Sequence, residues 1–282
     1  MHTIRSKERL AENIYRIWVD APRIAKKARA GQFAILRVNE EGERIPLTIA
    51  DTKPEEAMVA LIYQVVGYST RLLEQLEVGD ALSDLTGPLG HPSKLEGVRR
   101  ALCVGGGVGT AVVYPTAKAL YAQGSRVDVV VGARNRDLVI LEKELQDISE
   151  HLYITTDDGS YGQKGFVTDV VKALLEAGEN YDEVIAIGPP IMMKMVCEAT
   201  RPFSVKTIVS MNPIMIDGTG MCGCCRLTVN GELKYGCVDG PEFDGHEVDF
   251  DEFIRRGRQY RNEEMQMNER PLQGGHCACH QS

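Results

Sequence analysis

The chain lacks the marks of a nucleic-acid-binding, membrane or exported protein. Its 32 lysines and arginines are outnumbered by 40 aspartates and glutamates, a formal charge of −8 with the signs interspersed. No basic stripe is available to neutralise phosphates along a duplex, so no nucleic-acid partner is expected. No apolar run approaches the roughly 18–20 residues a membrane helix needs, and the opening Met1-His2-Thr3-Ile4-Arg5-Ser6-Lys7-Glu8-Arg9 has no apolar signal core. A cytoplasmic protein that does not touch a membrane is expected. Internal repeats and long low-complexity stretches are also missing. A disulfide framework is excluded by context, because the eight cysteines sit in a long chain without an export signal. Most of them crowd together at Cys222, Cys224, Cys225, Cys237, Cys277 and Cys279, and such clustering points to metal.

What is present suffices for ordinary buried cores: 282 residues, 43% hydrophobic and 26% charged, a balance that rules out disorder. Residues 1–98 carry short alternating runs such as Ile14–Val19 and Phe33–Val38 between Gly, Pro and charged turns, the pattern of an antiparallel β-barrel or sandwich. From Arg99 the period changes. An apolar strand at Ala101–Val104 enters a glycine cluster, a helical stretch runs to about Gln123, and the buried run Val127–Val131 follows, a βαβ unit. Strand-like runs recur at 152–156, 183–187 and 206–210, with helical patterns near 165–177 and 190–200, so a doubly wound parallel sheet is expected over 99–211. A short cysteine-bearing region spans 212–245. Residues 246–282 open with a capping-box pattern at Asp249-Phe250-Asp251-Glu252 and continue as a charged helix to a Gly-rich end.

The most informative segment is Asp217-Gly-Thr-Gly-Met-Cys222-Gly-Cys224-Cys225, followed by Arg226 to Cys237. Asn230-Gly231 between alternating residues is a strong hairpin signal, since both positions tolerate positive φ. Counting back from that turn pairs Val229 with Glu232 and Cys225 with Gly236, which brings Cys237 beside Cys225. Plant-type [2Fe–2S] spacing is C-x4-C-x2-C and a distant C; here it reads D-x4-C-x2-C-x11-C, with Asp217 in the first thiolate's place. Asp217, Cys222, Cys225 and Cys237 are the candidate metal ligands, with Cys224 as the alternative to Asp217. Structural zinc is the rival reading, but it favours two close pairs of ligands and the second pair is missing. The tail His276-Cys277-Ala278-Cys279-His280 also has metal-binding composition.

Gly105-Gly106-Gly107-Val108-Gly109-Thr110 stands between a strand and a helix, where backbone amides can approach a pyrophosphate. It departs from G-x-G-x-x-G at Thr110, and no acidic residue ends the strand at Val131-Gly132-Ala133 to hold a ribose. Arg134-Asn135-Arg136 stand there instead, which leaves NAD against NADP open. Gly188-Pro189 ends a later strand at the same sheet edge. In the barrel, Gly67-Tyr68-Ser69-Thr70 precedes a helix beginning at Arg71 and suits an anion, and Arg44 and Thr48 share one strand face.

In this order the features resemble the ferredoxin reductase-like flavoproteins: a flavin barrel with an arginine and hydroxyl motif, here Arg44 to Thr48, a phosphate turn, here Gly67 to Ser69, then a GGGxG turn and a late Gly-Pro. A C-terminal cluster loop narrows the resemblance to electron-transfer subunits of the dihydroorotate dehydrogenase B kind. Asp217 before Met-Cys-Gly-Cys-Cys is similar to the small subunits of electron-bifurcating NADH-dependent reduced ferredoxin:NADP+ oxidoreductases. The resemblance implies FAD at Arg44, Pro46, Leu47, Thr48, Val66, Gly67, Ser69 and Thr70, and NAD(H) at Gly105, Gly106, Gly107, Gly109, Thr110, Arg134, Gly188 and Pro189. It implies hydride exchange between NAD(H) and FAD, single electrons to a [2Fe–2S] cluster, and no general acid or base. The implied partner is a larger subunit with a second flavin and [4Fe–4S] clusters, in a heterodimer that serves ferredoxin and NADPH indirectly. The cluster loop and the helix carrying Phe253, Ile254 and Tyr260 are candidate docking surfaces. The alternatives are the dihydroorotate assembly and, in another class, a non-catalytic redox or metal sensor.

Overall fold

The computed structural model describes residues 2–40 and 42–272, and the histidine and cysteine run 276–280 lies outside the described residues. Strands β1 (His2–Ala11), β2 (Ile14–Asp20), β3 (Phe33–Arg37), β4 (Ile45–Lys53), β5 (Met58–Gln64), β6 (Ala81–Leu82) and β7 (Asp84–Leu89) form one antiparallel sheet, ordered β6-β1-β2-β5-β4-β3-β7, that nearly closes into a barrel. Period-two alternation gives this wall two buried faces. Along β5, Val59, Leu61 and Tyr63 fill the barrel, whereas Ala60 and Ile62 join a core shared with the following domain.

Strands β8 (Arg100–Gly106), β9 (Arg126–Ala133), β10 (His151–Thr156), β11 (Gln163–Lys164), β12 (Glu183–Ile187) and β13 (Thr207–Ser210) form a parallel sheet in the order β11-β10-β9-β8-β12-β13. Its central strands read as unbroken apolar runs because helices cover both faces. Ala101 and Cys103 pack with the helix Gly109–Ala122, and Leu102 and Val104 with the helices Val167–Glu176 and Pro190–Thr200. Strand order reverses at β8, with β9 on one side and β12 on the other. A crevice is left at the carboxyl ends of these strands, where such sheets bind ligands.

The cysteine region contributes the hairpin β14 (Arg226–Val229) and β15 (Glu232–Tyr235), then β16 (Glu242–Asp244), which adds antiparallel to β13. Val229 pairs with Glu232 across Asn230 (φ 49°) and Gly231 (φ 73°), and the Gly236 N–H donates to the Cys225 carbonyl at 3.0 Å. This is the register specified by a turn that needs positive φ twice. Leu227 and Val229 are buried with Val209 and Phe243, so the hairpin is seated on the parallel-sheet domain. The charged tail forms two helices, Phe250–Arg256 and Arg261–Glu269, and Asp249 caps the first by accepting from the Glu252 N–H at 2.8 Å. Phe253 is 7% exposed and belongs to the core, Ile254 is half-buried, and Tyr260, which is exposed, lies between the two helices, so the three do not form one exposed helix face. No helix among the described residues is long and apolar enough to cross a membrane.

Glu242 joins the regions. It is half-buried in β16; Ser93 Oγ donates to its Oε1 at 2.7 Å and lies 3.2 Å from Thr116 Oγ1. Burial pushes this carboxyl from 4.5 up to about 7; the Ser93 hydrogen bond and Lys206 oppose the rise and Glu183 adds to it. Between these values the folded chain keeps a proton that the unfolded chain has lost, so stability falls as pH rises through that window. We expect a loss on the order of 3 kcal/mol between about pH 4.5 and about pH 7, measured by urea unfolding across the window. In Glu242→Gln this component of the slope should vanish.

Candidate functional site: a cofactor cleft and a cysteine loop

A cavity of about 980 Å³ separates the barrel from the carboxyl edge of the parallel sheet. Pro46, Thr48 and Val66 wall it from the barrel, and Gly106, Gly107, Gly109, Arg134, Gly188 and Pro189 wall it from the sheet. Motifs far apart in sequence therefore face one space, large enough for nucleotide cofactors.

Packing dictates two of the turn glycines. A Cβ on Gly109 would lie 2.3 Å from the Ile187 carbonyl oxygen, and one on Gly105 would lie 2.8 Å from Thr110 Cα. Gly107 differs: it has φ +56°, and nothing lies within 4 Å of where its Cβ would point. That opening on the cavity wall lets a phosphate approach the backbone and the helix start. Thr110, at the fingerprint's third position, is buried and its Oγ1 has no hydrogen-bond partner.

β9 ends without a carboxylate, but its neighbour β10 is followed by Asp157, which lines the same cavity. The Asp157 N–H donates to the Ala133 carbonyl at 3.1 Å, so a carboxylate reaches this edge from one strand over. The sequence fingerprint looks only at the end of the second strand and misses it. Of the two arginines there, Arg134 reaches the cavity, while the Arg136 guanidinium lies 5.1 Å from the Tyr161 ring centroid.

On the barrel side, the helix after Gly67 begins at Tyr68, three residues earlier than expected, and spans Tyr68–Gln75. Thr70 acts as its cap: its Oγ1 accepts from the Val66 and Gly67 N–H groups, each at 3.0 Å. Ser69 is buried and its Oγ accepts from the Glu43 N–H at 3.3 Å. With both hydroxyls engaged, the unpaired amides of the first helical turn are what this loop offers an anion. Leu47 packs into the barrel core, on the opposite side of the strand from Pro46 and Thr48. Arg44 does not line the cavity; its Nε donates to the Ile216 carbonyl at 2.8 Å and its Nη1 pairs with Asp84 at 2.5 Å.

The cysteine loop divides into an inner and an outer pair. Cys225 and Cys237 are buried with their Sγ atoms 3.2 Å apart, well beyond the roughly 2.05 Å of a disulfide. Burial pushes the Cys237 thiol up to about 12. A bound cation would supply the charge stabilisation that hydration cannot, and turn both sulfurs into thiolate ligands. Outside them, Asp217 accepts from the N–H of Thr219 at 3.0 Å and of Cys222 at 2.9 Å. These amides, Thr219's above all, hold the carboxyl below the usual carboxylate range. The Cys224 N–H likewise lowers the exposed Cys222 thiol. Among the described residues, the one group of three or more His, Cys, Asp or Glu ligand atoms all within 4.8 Å is Asp128, Glu150 and His151. The loop donors therefore do not close around a single ion, and an arrangement in pairs suits two irons better than one tetrahedral zinc. Phe33, Ile35 and Met215 pack around Cys225 and Cys237, and Phe33 and Met215 also line the cavity. Composition and spacing gave no signal for that shared wall.

Two families match parts of the chain: the iron–sulfur cluster binding domain of dihydroorotate dehydrogenase B over residues 212–249, and the oxidoreductase NAD-binding domain over 103–198. The dihydroorotate dehydrogenase B (NAD+) electron transfer subunit homolog of Thermotoga maritima is 48% identical over 272 residues, 96% of each chain. The electron transfer subunit of Geobacillus thermodenitrificans is 35% identical over 255 residues, 87% of this chain and 96% of the relative. A chain from the structure of an NADH-dependent reduced ferredoxin-NADP oxidoreductase, solved for insight into flavin-based electron bifurcation, superposes with a TM-score of 0.91 at 48% identity, over 97% of this chain and 98% of that one. The Amycolatopsis cytochrome P450 reductase GcoB, at 23% identity and a TM-score of 0.61, shares the fold.

Fold and site together define a ferredoxin reductase-like electron-transfer flavoprotein. The chain belongs to the family of dihydroorotate dehydrogenase B electron-transfer subunits and their homologues, oxidoreductase subunits that use FAD, an iron–sulfur cluster and NAD(H).

Two substitutions test the two halves. Gly109→Ala, whose added carbon would meet the Ile187 carbonyl oxygen at 2.3 Å, should raise the KM for NADH at least about tenfold while FAD content stays at the wild-type level. Cys237→Ser should lower iron and acid-labile sulfide per chain in anaerobic preparations without lowering bound FAD.

Proposed function

We propose that this chain is the NADH-oxidising subunit of a heteromeric, electron-bifurcating ferredoxin:NADP+ oxidoreductase. The observation that carries the reading is the shared wall: Phe33 and Met215 face the cofactor cavity on one side and pack against Cys225 and Cys237 on the other. The likeness at 48% identity to a chain of an NADH-dependent reduced ferredoxin-NADP oxidoreductase supports it.

When bound, FAD would supply two-electron hydride chemistry toward NADH, and a [2Fe–2S] cluster would supply one-electron chemistry beside it. The residues present have the following parts in that exchange. Gly106, Gly107 and Gly109 admit the dinucleotide phosphates to the backbone at the switch point of the sheet, and Gly188 and Pro189 close the opposite lip. Asp157 accepts from the adenosine ribose hydroxyls, a contact that a 2′-phosphate would turn into repulsion. Pro46, Thr48 and Val66 would hold the flavin on the barrel side, and the amides of the helix start after Gly67 would be offered to its phosphates. Asp217, Cys222, Cys225 and Cys237 hold the cluster. Oxygen in place of one thiolate is a harder donor and retunes the potential. Hydride transfer moves no proton through a side chain, so the cleft is built to orient and to exclude water.

The partner in this reading is a larger subunit with its own flavin and [4Fe–4S] clusters. A second reading, transfer of electrons to a dihydroorotate-oxidising subunit, is favoured by the names of the Thermotoga and Geobacillus relatives. Affinity purification of the chain from its own cells decides between them by what comes with it: a subunit of about twice the mass carrying [4Fe–4S] clusters, or a flavin barrel that reduces orotate.

NADH should bleach the flavin absorbance of the anaerobic chain, and failure to do so would reduce it to a sensor. Asp157→Asn should lower the preference for NADH over NADPH about tenfold or more, the effect of one removed charge contact, read as the ratio of the two kcat/KM values. Asp217→Cys should keep a [2Fe–2S] spectrum with a displaced midpoint potential, and an unchanged potential would remove Asp217 from the ligand set.

A further inference from the structure

The cluster loop is not held by hydrophobic burial at its outer end. Ile216 is 44% exposed and Met221 87% exposed, yet between them lies Asp217, the candidate oxygen ligand. Two contacts fasten this stretch to the barrel. Gly218, at φ +78°, rests on the barrel so closely that a Cβ would lie 2.7 Å from Leu89 and 2.8 Å from Ile35. The other contact is polar. Arg44, 172 residues earlier in the chain, donates from Nε to the Ile216 carbonyl at 2.8 Å, while its Nη1 is held at 2.5 Å by Asp84 in β7. Asp84 in turn accepts from the Thr86 hydroxyl at 3.3 Å.

We propose that Arg44 is a positioning residue for the iron–sulfur loop, fastening the peptide before Asp217 to the flavin barrel and placing a positive charge beside the outer ligand pair. The inference rests on the reading of Asp217, Cys222, Cys225 and Cys237 as the cluster site. Its physical basis is the planar guanidinium, which addresses a carbonyl with one edge and a carboxylate with another; an ammonium is a point charge with no such fork. The ion pair is partly exposed, with 30% and 39% of the two side chains in solvent, so it adds little to stability. Its effect is registration: β4 begins immediately after Arg44 and carries Pro46 and Thr48 on the cavity wall. One side chain thus couples the strand that faces the flavin to the loop that holds the cluster. A cation one residue from a ligand also favours the more negative, reduced state of the centre it serves.

The test is a redox titration of the full-length anaerobic chain, followed by EPR of the cluster, in wild type, Arg44→Gln, Arg44→Lys and Asp84→Asn, with iron, sulfide and FAD quantified. Wild type stripped of FAD serves as the control for flavin loss. Arg44→Gln should move the cluster midpoint to more negative potential, and Asp84→Asn, which leaves the cation without its counter-charge, to more positive potential, both with a changed EPR line shape at wild-type iron content, while Arg44→Lys should restore most of the potential but not the line shape. Wild type without FAD should keep its cluster signal. Variants that lose FAD while the cluster potential and spectrum stay at wild-type values would overturn the proposal and leave Arg44 to the flavin alone. A wild-type chain with no acid-labile sulfide would instead overturn the cluster reading itself, a distinct result. Asp84→Asn is nearly isosteric and leaves Arg44 in place, so it decides the matter even if the Arg44 variants fold poorly.

Discussion

Two buried sulfur atoms 3.2 Å apart constrain the rest of this molecule. A thiolate inside a protein is unfavourable without a compensating cation, and an unpaired thiol there serves only as a small hydrophobe. The β14–β15 hairpin brings Cys237 back to Cys225, β3 of the barrel packs over both, and the parallel-sheet domain buries the hairpin's other side. The cluster site is therefore assembled from three regions of the chain, and none of them could form it alone.

The same economy governs the cavity. A parallel sheet places its loops at one edge, and reversal of strand order at β8 separates the loops after β8 and β12 just enough to admit a ligand. The barrel closes the other side with a strand whose alternate residues fill its own core. Phe33 and Met215 belong to both neighbourhoods, walling the cleft and packing on the cysteines. The wall between the cleft and the cysteines is thus a property of how domains dock, since no motif encodes it.

Polar contacts then trim the assembly. Asp217 accepts from amides of its own loop, Arg44 spans barrel and loop, and Glu242 sits half-buried where linker, helix and edge strand meet. Each lies where apolar burial cannot specify position, because the segments are short, glycine-rich or exposed. Hydrogen bonds supply direction in such places while adding little net stability.

Local chemistry settled much of this before any fold was considered. Apolar runs that need two covered faces declared the parallel strands, Asn230-Gly231 declared the register of the hairpin, and the spacing from Asp217 to Cys237 declared a metal loop, because φ preferences and side-chain periodicity act over a few residues. The start of the helix at Tyr68, the division of the charged tail into two helices and the burial of Phe253 were not legible, since long-range packing outweighs propensity there. Asp157 beside the end of β9, the wall shared by cleft and cysteines, and the grip of Arg44 on Ile216 were decided only by tertiary structure. They join residues far apart along the chain, and only the burial of a common core brings such residues into contact.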